Sequence, residues 1–209
     1  YFYNFNARSR ESREIDIEEN GQLIEIKLKP QLFENYVKLA NRFISTTKCY
    51  QVNNLQYGIC SDFYENGKIK TKAEWSKGML DGDAVFYYEN EIIEAEGKFN
   101  KNDKVGLWKY YNQNGLIKTE ENYVYKNKKS VKEGLFKYYY PSGKLKNSNN
   151  YENDFLQGTS YEYFESGDIK SKYDFKDSKY DGKAYFYNEK GTLIETVTYK
   201  EGKVISSKK

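Results

Sequence analysis

From residue 58 onward the chain alternates short runs rich in Tyr, Phe, Ile and Val with short polar runs that close on a glycine. In the stretch from Ile117 to Tyr123, the residues Ile117, Thr119, Glu121 and Tyr123 fall at every second place, with Lys118, Glu120 and Asn122 between them. A period of two is the pattern of a β-strand, which points successive side chains to opposite faces. Leu107-Trp108-Lys109-Tyr110-Tyr111 runs into the polar turn Asn112-Gln113-Asn114-Gly115, and Pro141-Ser142-Gly143, Glu165-Ser166-Gly167 and Glu189-Lys190-Gly191 repeat the theme. Glycine at the last turn position supplies the positive φ that closes a short hairpin.

The hairpins recur in register. Glycines precede the aromatic strands at Gly58, Gly82, Gly106, Gly134, Gly158 and Gly182, with spacings of 24, 24, 28, 24 and 24 residues. Five residues after each anchor stands a ring: Phe63, Tyr87, Tyr111, Tyr139, Tyr163 and Tyr187. Nine after comes a second glycine, with Glu91 as the exception, and eleven after comes Ile69, Ile93, Ile117, Leu145, Ile169 or Leu193. Seventeen after stands another ring: Trp75, Phe99, Tyr123, Tyr151, Phe175 or Tyr199. Taken as one unbroken alternation, the second strand puts the aliphatic residue and the distal ring on one face, so stacked units would build continuous ladders. The expected fold is mainly β: an elongated, single-layer, twisted antiparallel sheet of six stacked hairpin units occupying residues 48–209. The four extra residues around Lys126–Lys132 read as a lengthened loop between units.

The N-terminal quarter departs from this grammar. Glu19-Asn20-Gly21-Gln22 resembles another hairpin turn, and Leu32, Phe33, Tyr36, Val37, Ala40, Phe43 and Ile44 fall at helical spacing behind Pro30. That pattern predicts a cap over residues 1–47 with an amphipathic helix at about 31–45, which would cover an array end or bind a partner.

Composition narrows the function classes. The chain has 34 Lys and Arg against 31 Asp and Glu, interleaved rather than gathered in a stripe, which argues against nucleic acid. With 23 Tyr and 12 Phe, burial must rely on ring faces. There is no His, no glycine-rich phosphate loop and no metal-ligand cluster, so neither a cofactor nor a metal is expected and catalysis is not. No apolar run is long enough for a transmembrane helix. The chain begins at Tyr1 rather than Met, which tilts the expectation toward an exported protein. Cys49 and Cys60 are either two small buried residues or a disulfide closing a short loop, the latter fitting export.

Two runs, Gly106-Leu107-Trp108-Lys109-Tyr110-Tyr111-Asn112-Gln113-Asn114-Gly115-Leu116-Ile117-Lys118 and Gly134-Leu135-Phe136-Lys137-Tyr138-Tyr139-Tyr140-Pro141-Ser142-Gly143-Lys144-Leu145-Lys146, resemble the bacterial variant of the MORN repeat. Its pattern is roughly G-x-W-x-x-Y-Y-x-x-G-x-L/I-K, and the resemblance covers about residues 58–205. It implies stacked hairpins, an antitoxin-like or exported role, and association with membranes, lipids or protein scaffolds. Trp stands at the third place of the unit only as Trp108, and Glu91 replaces a turn glycine, which puts the second unit's turn geometry in question.

Adjacent rings in a strand must point to opposite faces, which predicts an accessible aromatic surface. Its candidate binding residues are Tyr64, Tyr88, Trp108 and Tyr110, continuing through Tyr138, Tyr140, Tyr161, Phe164 and Tyr185. Tyr offers contact area at small entropic cost, suited to a protein partner. Lys68, Lys118, Lys144 and Lys170 are expected to form a basic row, and Gly78, Gly97 and Gly202 to be turns. The sequence thus favours a non-catalytic scaffold for a protein partner. The alternative is an envelope module contacting cell-wall glycan or lipid.

Overall fold

The computed structural model describes residues 15–19, 22–26, 31–39 and 42–209, with side chains from Thr47 onward. The described part is β throughout, with no helix among the described residues. The chain divides into two compact units, Tyr1–Glu91 and Ile92–Lys209.

In the first unit, β1 (Ile15–Glu19) and β2 (Gln22–Ile26) form an antiparallel hairpin with Glu19 opposite Gln22, as the local pattern predicts. A meander follows through β3 (Gln31–Leu39), β4 (Arg42–Val52), β5 (Leu55–Phe63), β6 (Ile69–Ser76) and β7 (Met79–Tyr87), each antiparallel to the last. The helix expected over 31–45 is therefore not found among the described residues: 31–39 lie in β3 and 42–45 in β4, paired from Gln31↔Gln51 to Leu39↔Arg42. A short apolar pattern does not separate helix from strand. Phe33, Tyr36, Val37, Phe43 and Ile44 are strand formers, and β5 offers β4 a further set of backbone partners. The rest of the expected cap, residues 1–14, 20–21, 27–30 and 40–41, lies outside the described residues.

The second unit is one antiparallel sheet. Its strands are β8 (Ile93–Asn100), β9 (Asp103–Tyr111), β10 (Ile117–Lys126), β11 (Lys129–Lys132), β12 (Gly134–Tyr139), β13 (Leu145–Glu152) and β14 (Phe155–Leu156). Then come β15 (Gly158–Tyr163), β16 (Ile169–Lys176), β17 (Lys179–Tyr180), β18 (Gly182–Tyr187), β19 (Leu193–Lys200) and β20 (Lys203–Lys208). The short strands β11, β14 and β17 are the outer ends of β12, β15 and β18, interrupted at Glu133, Gln157 and Asp181 just before the anchor glycine.

Two kinds of turn alternate. At the first, Gly67 N–H donates to Tyr64 O at 2.9 Å and Gly115 N–H to Asn112 O at 2.8 Å. Glu91 keeps the same geometry despite its side chain, with φ at 68° and its N–H on Tyr88 O at 2.9 Å. The substitution leaves the turn intact at the cost of left-handed strain, on the order of 1 kcal/mol. The second kind links one hairpin to the next through two residues of positive φ, as at Asn153 and Asp154 (50° and 71°) or Asp177 and Ser178 (50° and 64°), the signature of a type I′ turn. Gly78 and Gly202 belong to such turns.

Gly97 does not. It lies inside β8, and a Cβ there would come within 2.4 Å of the Trp108 ring. This glycine makes room for an indole rather than for a turn.

The four extra residues are not a loop either. They lengthen the hairpin on both sides of the turn at Asn127 and Lys128, giving the paired rungs Tyr123↔Lys132, Val124↔Val131, Tyr125↔Ser130 and Lys126↔Lys129. Val131 is buried, and Ser130 Oγ donates to Lys104 O at 2.7 Å. Paired strand leaves fewer backbone groups unsatisfied than an open loop would.

The largest departure from the sequence reading concerns the core. In five hairpins the first turn is followed by a bulge: Tyr111 pairs with Ile117 but Tyr110 with Thr119, and Tyr163 pairs with Ile169 but Glu162 with Ser171. An extra residue in one strand shifts the alternation by one, which moves a side chain to the other face. The aliphatic column therefore sits opposite the distal rings. Ile69, Ile169 and Leu193 are 40, 39 and 48% exposed. What is buried is the column two residues after each anchor: Cys60 and Ala84 in the first unit, and Trp108, Phe136, Ser160 and Ala184 in the second. Cys49 and Cys60 are joined as a cross-strand disulfide, Cα–Cα 4.3 Å, both buried.

Candidate functional site

Trp108 and Phe136 organise the middle of the second unit. Trp108 is 1% exposed and its Nε1 donates to Lys98 O at 3.0 Å. Phe99 meets it edge-on at 4.9 Å between centroids, and Tyr110 stacks on it at 6.1 Å. The Lys104 ammonium closes this box, 4.8 Å from the Trp108 centroid and hydrogen-bonded to the Tyr110 hydroxyl. One repeat later Phe136 takes the same place, between Tyr123 (5.6 Å) and Tyr151 (4.6 Å) with Lys132 above at 5.5 Å. Each ammonium lies against aromatic π-clouds while its stem covers ring surface. Trp108 is thus a core residue, not part of the accessible surface predicted for it.

The hydroxyls of this region stay protonated. Burial, then the charge of Glu121, pushes Tyr110 up, and burial with a 2.7 Å bond to Glu121 does the same for Tyr123. Tyr138 is pushed up to about 12 by burial and by its neighbours Tyr151 and Glu121. On the opposite face, burial and then Glu96 and Glu120 raise Tyr111 and Tyr139 to about 12. Their hydroxyls donate to those carboxylates at 2.6 and 2.9 Å. Glu120 is pulled up by burial, but its bonds from Lys137 and Tyr139 prevail and hold it below the ordinary carboxylate range. Glu96 and Glu120 stand fourteen residues after successive anchors, so this tie recurs in two successive units.

Beyond the ring boxes lies a groove of about 430 Å³ that crosses three successive hairpins. Its floor and rims come from Tyr138, Tyr140 and Tyr163 with Thr119 and Asn147. Lys118, Lys146 and Lys170 line it at equivalent places, twelve residues after Gly106, Gly134 and Gly158. Each is the residue inserted by the bulge or its neighbour on β10, β13 and β16, so the irregularity that empties the core of isoleucine also aligns the lysines. One carboxylate, Glu162, enters the groove, 3.9 Å from Lys170 and accepting from Ser171 Oγ at 2.9 Å.

The nine aromatic candidates separate in this geometry. Tyr138 and Tyr140 line the groove. Tyr140 also donates its hydroxyl to Tyr163 O at 2.7 Å, and Tyr64 makes the same bond to Tyr87 O, so this column ties one repeat to the next. Tyr161 stacks on Tyr163 at 6.2 Å, Tyr185 lies under the Lys172 ammonium at 5.7 Å, and Tyr88 and Phe164 are half-buried outside the groove. The predicted lysine row is corrected too. Lys68 and Lys144 stand ten residues after their anchors and Lys118 and Lys170 twelve, so they belong to two columns, and Lys70 and Lys146 also stand in the second. The shared offset of twelve is visible in the sequence; that this column lines a groove is not. Among the described residues no group of three or more His, Cys, Asp and Glu is placed to hold a metal ion.

The MORN repeat variant model matches residues 56–77, 104–125, 132–153, 156–177 and 180–201, together more than half of the chain. The chain belongs to the MORN repeat variant family. Each matched segment starts two residues before an anchor glycine, and four of the five end on the first residue of a type I′ turn. Each matched segment thus contains the first turn and stops at or before the turn to the next hairpin, and the hairpin starting at Gly82, with Glu91 in its turn, falls between matched segments. Repeats of this family are non-catalytic and commonly serve binding and scaffolding. No curated protein matches the chain.

Proposed function

We propose that this MORN-variant chain is a non-catalytic scaffold that presents its sheet to a protein partner. The observation that carries the reading is the groove itself: equivalent Lys side chains from three hairpins, with Tyr side chains from two of them, converge on one surface. The one carboxylate there, Glu162, already holds Ser171 and Lys170. Shallow aromatic and basic surfaces of this kind suit macromolecules, whereas small-molecule sites are enclosed and mostly apolar. An antitoxin or immunity role is the finer form of this reading and rests on family resemblance.

Capture from lysate and envelope fractions with the full chain, followed by crosslinking, tests the proposal. Crosslinks from Lys118, Lys146 and Lys170 to one protein would support it. Sedimentation with cell wall or lipid and no protein partner would overturn it in favour of an envelope module. One observation favours that second reading: the Cys49–Cys60 disulfide suits an oxidising compartment.

A further inference from the structure

We infer that the groove takes an extended acidic segment of the protein partner, in polyproline II conformation, with a carboxylate at every third residue. The inference deepens the scaffold reading and rests on it. Lys118, Lys146 and Lys170 lie on β10, β13 and β16, and one strand separates each pair: β12 between the first two, β15 between the second. Their spacing is therefore two interstrand steps, about 9.6 Å. A peptide in β conformation presents same-side residues every 6.6–6.8 Å or so and falls out of step with such a row at once. A polyproline II segment rises about 3.1 Å per residue with three residues per turn, so every third side chain returns to the same side after about 9.3 Å. That period stays within a fraction of an ångström of the lysines across three repeats.

The charges lining the groove match this ligand. Lys118, Lys146 and Lys170 are all exposed. Lys118 has no carboxylate within ion-pair distance among the described residues, and Lys146 rests over the Tyr140 ring, 5.7 Å from its centroid. Lys170 has Glu162 at 3.9 Å, with both side chains substantially solvent-exposed. Between the lysines, Tyr138 and Tyr163 offer flat walls, and Asn147 offers an amide to backbone groups. Aromatic-lined grooves favour polyproline II segments because that conformation is preformed and loses little entropy on docking. Glu162 marks the end of the groove where an incoming carboxylate is least welcome.

Fluorescence anisotropy with the full chain tests the register directly. One labelled probe carries Glu at every third position of a Pro-rich host; a second has the same composition with Glu at every second position. The first should bind about tenfold tighter. Lys118→Gln, Lys146→Gln and Lys170→Gln should each weaken it about threefold, and Glu162→Gln should tighten it. Lys128→Gln, in the type I′ turn of the long hairpin, should leave it unchanged. Equal affinity for the two probes, or binding of phosphatidylserine vesicles through the same lysines with no peptide binding, overturns the inference. If a captured protein partner still binds the triple Lys→Gln variant, the register claim falls while the scaffold reading stands. If neither probe nor any protein binds, both fall.

Discussion

The repeats at Gly106 and Gly134 and those at Gly158 and Gly182 share one backbone and fill it in opposite ways. In the first pair the buried place two residues after the anchor holds Trp108 or Phe136, and the neighbouring strand gives way, most plainly at Gly97. In the second pair the same place holds Ser160 or Ala184, and the bulk moves to the partner strand, where Tyr173 faces Ser160 and Val197 faces Ala184. Tyr173, Phe175, Tyr180, Phe186 and Tyr199 then pack on each other at centroid distances from 4.6 to 6.3 Å. Even the column two residues before the anchor follows the exchange: Lys104 and Lys132 cap large rings, whereas Tyr180 is itself a ring of the later cluster. Packing density is conserved across cross-strand pairs, not at single repeat positions.

Alkali should produce the largest effect. Tyr111, Tyr138 and Tyr139 of the ring-filled repeats are pushed up to about 12, with burial as the first cause. A phenol whose folded-state pKa lies above the free value near 10 lends stability that is complete below that value and lost as pH rises through the folded one. The protein should hold to about pH 10 and unfold steeply between there and about 12. In a Trp75→Phe background Trp108 is the remaining tryptophan, so its emission reports on these repeats. Tyrosinate absorbance developing near pH 10 with unchanged Trp108 emission would show the hydroxyls to be free.

Next in size, Phe136→Ala should lower stability by about 3–5 kcal/mol in urea denaturation, because a ring with no exposed surface leaves a cavity. A loss below about 1 kcal/mol would mean that the ring box collapses onto the vacancy. Gly97→Ala should cost about 1–3 kcal/mol through overpacking against Trp108. In a Trp108→Ala background the same change should be neutral or stabilising, and additive costs would rule the contact out. Smallest is Ser160→Ala. The Ser160 Oγ is buried without a hydrogen-bond partner, so its removal should stabilise by at most about 1 kcal/mol. A clear destabilisation would reveal a partner for that hydroxyl.

Much of this was legible in the sequence. The anchors, the turn glycines and the two ring columns mark every hairpin from Gly58 to Lys200, because turns and strands answer to local conformational preference. The face assignment was not legible. Nothing local separates Ile117 followed by a bulge from Ile117 in a regular strand, and one inserted residue decides which face it joins. The candidate site suffered the same ambiguity: Tyr138 and Tyr140 could be named from their repeat positions, while Lys146 and Glu162 become groove residues only once three hairpins lie side by side. Residues 31–39 and 42–45 show the converse, where a helical spacing of apolar residues gave way to the pairing of β3 with β4.

By itself the sequence determined the repeat, its period and the placing of turns, since each depends on residues within a few places of one another. The tertiary structure alone decided which column is buried, how large and small residues share the space across strands, and which lysines form a row. Those outcomes depend on register between strands, and register is set by bulges and cross-strand packing that a single hairpin does not contain.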